Sequence, residues 1–157
     1  AVLGICGGYQ MLGRTIGDPE GIEGPSETIA GLGLLEVDTL MSSGKALHQV
    51  QGHGLAADFT GYEMHMGATS GPDCARPFAI LDGERTDGAI SRDGRVLGSY
   101  VHGLLASAPL RDALMQRLGG QSAMADYAQT VEDALDEVAA LLEQHADIDA
   151  MVALAMG

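Results

Sequence analysis

Tryptophan is absent from the 157 residues, and aromatic side chains make up only 4% of them, so a core of large rings is excluded. Hydrophobic residues reach 46%. A core must therefore be built from Ala, Val, Leu, Ile and Met, and the length suffices for one domain that has such a core. Basic residues are few: eight Lys and Arg stand against 22 Asp and Glu, for a formal net charge of -14. Phosphate backbones and anionic bilayers need a basic face, so nucleic acid and membranes are excluded as partners. The two cysteines, Cys6 and Cys74, are too few for a disulfide framework, and neither lies in a Cys-x-x-Cys pattern. The five histidines are scattered, so no metal site is expected. No signal peptide and no long apolar span is visible. The expectation is a soluble protein of the reducing cytoplasm. An initiator Met is also lacking: the chain begins on Ala1, inside what reads as a buried strand. Such a strand in a parallel sheet needs neighbours on both sides, so an upstream part is expected to be missing.

What is abundant is glycine, and it clusters where the chemistry is. Ala1-Val2-Leu3 is a short apolar run, and Tyr9-Gln10-Met11-Leu12 reads as the start of a helix. Between them lies Gly4-Ile5-Cys6-Gly7-Gly8, the spacing of a nucleophile elbow with sulfur in place of a serine oxygen. A sharp strand-to-helix turn strains its central residue, and side chains two positions to either side are expected to collide. Glycine at Gly4 and Gly8 meets that demand. Cys6 then stands at a helix N-terminus, where the dipole favours negative charge. The amide of Gly7 points to the same spot and can stabilise an oxyanion. A buried structural cysteine in a glycine-rich turn is the alternative, and the elbow alone leaves both open.

Beyond the elbow, residues 17–33 are rich in Gly, Pro, Glu and Ser and read as a loop. Residues 34–38, 47–51, 59–66 and 77–81 read as strands. Two apolar runs, residues 88–91 and 95–101, flank Arg92-Asp93-Gly94, a strong hairpin signal. The remainder is helical. Ser107 and Pro109 form an N-cap and first-turn pair, Leu110, Leu114 and Leu118 follow at helical spacing, and Gly119-Gly120 ends the run. Val131, Ala134, Leu135, Val138, Leu141 and Leu142 share one face of a second helix, whose acidic residues read as a solvated face. A short last helix is expected from Ile148 to Ala155.

A thiol nucleophile needs a base. His145 ends an acidic helix, and His48 and His53 lie in a polar stretch. His102 ends an apolar strand and precedes Gly103. Cys6 also ends a strand, and ligands bind at the carboxyl ends of strands in α/β proteins. The two ends would bring thiol and imidazole together. His65 is the second choice.

Three segments in this order carry a resemblance: residues 4–13 (GICGGYQMLG), 61–67 (GYEMHMG) and 98–104 (GSYVHGL). Together they resemble the glutamine amidotransferase domain of the cobyric acid synthase family, within the class I amidotransferases, and the likeness spans nearly the whole chain. The resemblance implies an α/β, flavodoxin-like class I fold, partial because upstream strands are missing, with a helical C-terminus. Residues 1–157 would be the C-terminal part of the amidotransferase domain. It further implies that Cys6 attacks the side-chain amide of glutamine, giving a thioester and ammonia, with His102 as base and then acid. Gly7 would supply an oxyanion amide, Gln10 would hold substrate glutamine, and Glu63 and His65 would stand beside the glutamine pocket.

Corrin-ring carboxylates would be the amidated substrate, reached through a missing synthetase domain that holds ATP and Mg²⁺; no cofactor is expected in these residues. The isolated chain is expected to be poorly active. Most class I relatives carry a Glu two residues after the histidine, and here that place is Leu104. The cobyric acid synthase branch resembles this chain in lacking it, so the partner that orients the imidazole is open. Two other readings stand beside this one. One is the amidotransferase subunit that amidates cell-wall lipid II; the other is a non-catalytic regulatory or scaffold domain.

Overall fold

The computed structural model describes residues 1–44, 46–120 and 127–156. The first apolar run is strand β1 (Val2–Ile5), which turns at Cys6 into the short helix α1 (Gly7–Leu12). Three sheets follow. The first has the order β1-β11-β10, with β10 at Ala89–Ile90 and β11 at Val96–Ser99. β1 runs parallel to β11, and β10 pairs antiparallel with it across the predicted Asp93-Gly94 turn. β1 has this one paired neighbour among the described residues, and Val2 is exposed.

The second sheet has the order β12-β6-β5-β8-β9. Its centre is a long hairpin, β5 (Ala46–Gly54) and β6 (Ala57–His65), paired along nine positions. Strands β8 (Ala79–Leu81) and β9 (Arg85–Asp87) extend one side, and β12 (Val101–His102) the other. The hairpin turn is Leu55-Ala56, both with positive φ (52° and 61°). Turns of that kind match the twist of the strands, but Asn-Gly or Asp-Gly is their usual signal. That is why residues 47–51 and 59–66 read as two separate strands.

The third sheet, β3-β2-β4-β7, corrects two expectations. Strands β2 (Thr15–Asp18) and β3 (Glu27–Ala30) lie in and beside the stretch read as a loop. Residues 34–37 join no strand, and strand β4 begins only at Asp38 and ends at Leu40. β4 pairs with β7 (Ala68–Ser70), the segment just after the Glu63–His65 motif.

A core of Val50, Phe59, Phe78, Leu81, Leu97, Val101, Leu104, Leu110 and Leu114 ties the first two sheets to helix α2 (Ala108–Arg117). Each such side chain contributes about 1.5–3 kcal/mol of burial. Leu104 is fully buried, so the position two residues after His102 is filled with hydrocarbon. The Ser107 hydroxyl accepts from the Leu110 amide and caps α2 as its sequence predicts. Residues 1–122 form one compact unit and residues 123–157 another. The second holds α3 (Tyr127–His145) and α4 (Ile148–Met156), and the apolar stripe of α3 is exposed.

Candidate active site

Cys6 is built by its neighbours in sequence. Its backbone has φ 53° and ψ -118°, a region that L-residues rarely occupy and that costs about 1–3 kcal/mol. Two bonds hold it there. The Cys6 amide donates to the Ser99 carbonyl at 2.9 Å, and the Cys6 carbonyl accepts from the Gln10 amide at 3.2 Å. At Gly4 a methyl group would lie 2.7 Å from the Gly8 carbonyl oxygen and 2.6 Å from the Leu12 side chain, so glycine is required. Gly8 differs from expectation: a methyl group there meets nothing within 4 Å. The crowding arises from the Gly8 backbone, which approaches Gly4, and not from the space around Gly8. The thiol donates to the Met64 carbonyl at 3.4 Å. Gly7 opens the helix beside it and is exposed.

His102 reaches the same region by a switch between sheets. β11 ends at Ser99, and two residues later β12 begins in the second sheet. Asp87 pins this switch. Its carboxylate accepts from the Ser99 hydroxyl at 2.6 Å and the Tyr100 amide at 3.0 Å, and the Val101 amide donates to the Ser99 hydroxyl at 3.1 Å. Asp87 is buried, and burial pushes its carboxyl up, against the bonds from Ser99 and Tyr100. In β12, His102 pairs with Tyr62 of β6. A side chain at Gly61 would collide with the His102 carbonyl, so glycine there lets the strands close. The Tyr62 ring lies against the imidazole, with centroids 5.0 Å apart and planes at 9°. The Nε2 atom of His102 is buried without a hydrogen-bond partner.

Cys6 and His102 are thus tied to one strand, two residues apart: the thiol to Met64, the imidazole to Tyr62. Among the described residues no hydrogen bond links the two side chains directly. The other predicted residues lie on or beside the same strand. The Gln10 amide group is buried and donates to the Met66 carbonyl at 3.0 Å and the Tyr100 hydroxyl at 3.4 Å. Tyr100 also meets the Thr69 hydroxyl at 2.5 Å, and burial pushes its phenol up. The His65 ring stacks on Tyr100 with centroids 3.7 Å apart, and its buried Nδ1 has no partner.

Glu63 is buried beside the Arg85 guanidinium at 2.7 Å, with the Nε2 atoms of His48 at 3.5 Å and His65 at 3.9 Å. The bond to Glu63 holds the Arg85 guanidinium further up than usual. Sequence reasoning missed Asp87, Arg85 and the ring of Tyr62. Asp87 carried one available signal, an Asp-Gly pair between two strands.

A strained cysteine at an elbow and an imidazole delivered beside the same strand are the two side chains that a thiol-nucleophile site requires. Residues 1–110 match the family described as the CobB/CobQ-like glutamine amidotransferase domain, and the chain belongs to that family. Its curated relatives narrow the comparison. A cobyric acid synthase of Rhizorhabdus wittichii is 59% identical over 155 residues, and one of Novosphingobium aromaticivorans 57% over 155. One of Methylocella silvestris is 53% identical over 156 residues. The alignments cover 98–99% of this chain and 32% of each relative, so the chain spans about a third of their length.

Proposed function

We propose that these residues are the glutamine-hydrolysing part of a cobyric acid synthase, and that Cys6 and His102 perform the hydrolysis. The observation that carries this reading is the attachment of both side chains to β6, with Cys6 on a strained elbow. His102 takes the thiol proton, and the Cys6 sulfur attacks the side-chain carbonyl carbon of glutamine. The Gly7 amide stabilises the oxyanion that forms. His102 returns the proton to the leaving nitrogen, the C–N bond breaks, and ammonia departs from a γ-glutamyl thioester. His102 then takes a proton from water, which attacks the thioester; glutamate leaves and the thiol is restored. Gln10 and His65 form the wall that holds glutamine, with the unpartnered Nδ1 of His65 offered to it. Glu63, held by Arg85 and His48, supports that wall.

The ammonia serves ATP-dependent amidation of corrin-ring carboxylates in cobalamin biosynthesis, in the cytoplasm. ATP and Mg²⁺ belong to a synthetase domain outside these residues. Domain 1–157 is the C-terminal part of a flavodoxin-like class I amidotransferase domain, a reading supported by the parallel pair β1–β11 with the nucleophile at the end of β1. Further parallel strands beyond β1 complete that fold, and without them the isolated chain hydrolyses glutamine poorly.

The test is Cys6→Ser in the full-length synthase. Glutamine-dependent amidation is lost, while amidation from added ammonia continues, because free ammonia bypasses the thioester. A variant that still uses glutamine at near the normal rate overturns the proposal.

A further inference from the structure

The imidazole of His102 has no carboxylate behind it. Leu104, at the position of the expected Glu, is buried in the core, and among the described residues the ring has no hydrogen-bond partner. An imidazole without a partner turns easily, since the torsion between the β-carbon and the ring is broad. A base that must first meet a thiol and then a leaving nitrogen needs a fixed plane. What fixes the plane here is an aromatic face. Tyr62 stands directly opposite His102 in the β6–β12 pair, and its ring covers the imidazole at 5.0 Å and 9°. Tyr62 is itself anchored in the long hairpin, opposite Gln49 of β5. A phenol face is electron-rich, so it also favours the imidazolium that forms when the thiol proton is taken.

We propose that Tyr62 is the positioning residue for His102, stacking on the imidazole where other class I enzymes use a carboxylate. The proposal rests on the catalytic reading of His102 given above. The ring, not the hydroxyl, carries the effect. Tyr62 is 42% exposed, so its replacement leaves the core intact.

Three full-length variants test it, Tyr62→Phe, Tyr62→Leu and His102→Asn, with glutaminase kinetics and NMR of ¹³C-labelled histidine rings. The His102 signals are assigned by their loss in His102→Asn, and the stack places them upfield. In Tyr62→Leu they move downfield and kcat falls roughly tenfold, with KM little changed. In Tyr62→Phe both the shift and kcat stay near those of the unaltered enzyme. A normal kcat in Tyr62→Leu overturns the proposal, as does a change confined to KM, which would make Tyr62 a substrate contact. Equal slowing in Phe and Leu assigns the effect to the hydroxyl and overturns it too. Failure of the underlying reading looks different: His102→Asn would then hydrolyse glutamine normally.

Discussion

The two halves of the site are built in different ways. Cys6 is shaped mainly by nine consecutive residues, in which strand β1, the turn and the first turn of α1 follow one another and Gly4 relieves the crowding, with the Ser99 carbonyl adding one bond from outside. His102 is placed by segments far apart in the chain: β6 beneath it, Asp87 at the switch between sheets, and Gly61 to let β12 close. A strained backbone such as that of Cys6 is best held by short-range geometry. A side chain such as His102, whose backbone is unstrained, can be delivered by topology, and its supports are then spread over the fold. Damage to the two halves should therefore differ in kind.

The largest effect is expected at the switch. Asp87→Ala leaves the Tyr100 amide and Ser99 hydroxyl unpaired in a buried site, which destabilises by about 2–4 kcal/mol. Urea denaturation measures this, and a change under about 0.5 kcal/mol would show that the switch is held by something else. Next comes the elbow. Gly4→Ala forces a methyl group against the Gly8 carbonyl and destabilises by about 1–3 kcal/mol. Reactivity of Cys6 toward iodoacetamide should change more in Gly4→Ala than in Asp87→Ala, which reaches the elbow only through the bond from the Cys6 amide to Ser99.

A smaller effect is a pH slope. Burial raises the Asp87 carboxyl above its ordinary 3.8, so the folded state holds that proton more tightly than the unfolded chain. The stability this supplies is fully present below about pH 3.8 and is lost as pH rises through the raised value. Asp87→Asn carries no such proton. The stability of the unaltered protein relative to Asp87→Asn should therefore fall as pH rises from 4, and a rise instead would contradict the burial argument. The smallest effect is at Gly8. Gly8→Ala meets open space and gains helix propensity, so stability stays within about 0.5 kcal/mol or rises slightly.

The same contrast decides what the sequence could reveal. The elbow was legible because its residues are adjacent and glycine marks the turn. The Asp93-Gly94 hairpin and the Ser107 cap were legible for the same reason: each is a local signal. The Leu55-Ala56 turn was not, because neither residue advertises a positive φ. Strands β2 and β3 were hidden in a stretch of turn-forming residues, where tertiary pairing overrode composition. Residues 34–37 have the alternation of a strand but form no ladder, because their backbone bonds go to Leu12, Arg14 and Asp73. His102 could be chosen as a strand-end histidine, but its stack on Tyr62 and its dependence on Asp87 follow from strand pairing that no single segment encodes.

Acid-quenched mass spectrometry of the full-length synthase during turnover with glutamine tests the central claim most directly. The account predicts a γ-glutamyl adduct on the peptide that contains Cys6, absent from Cys6→Ser and diminished in His102→Asn. Glutamine consumption without that adduct, or an adduct on Cys74 instead, would contradict it.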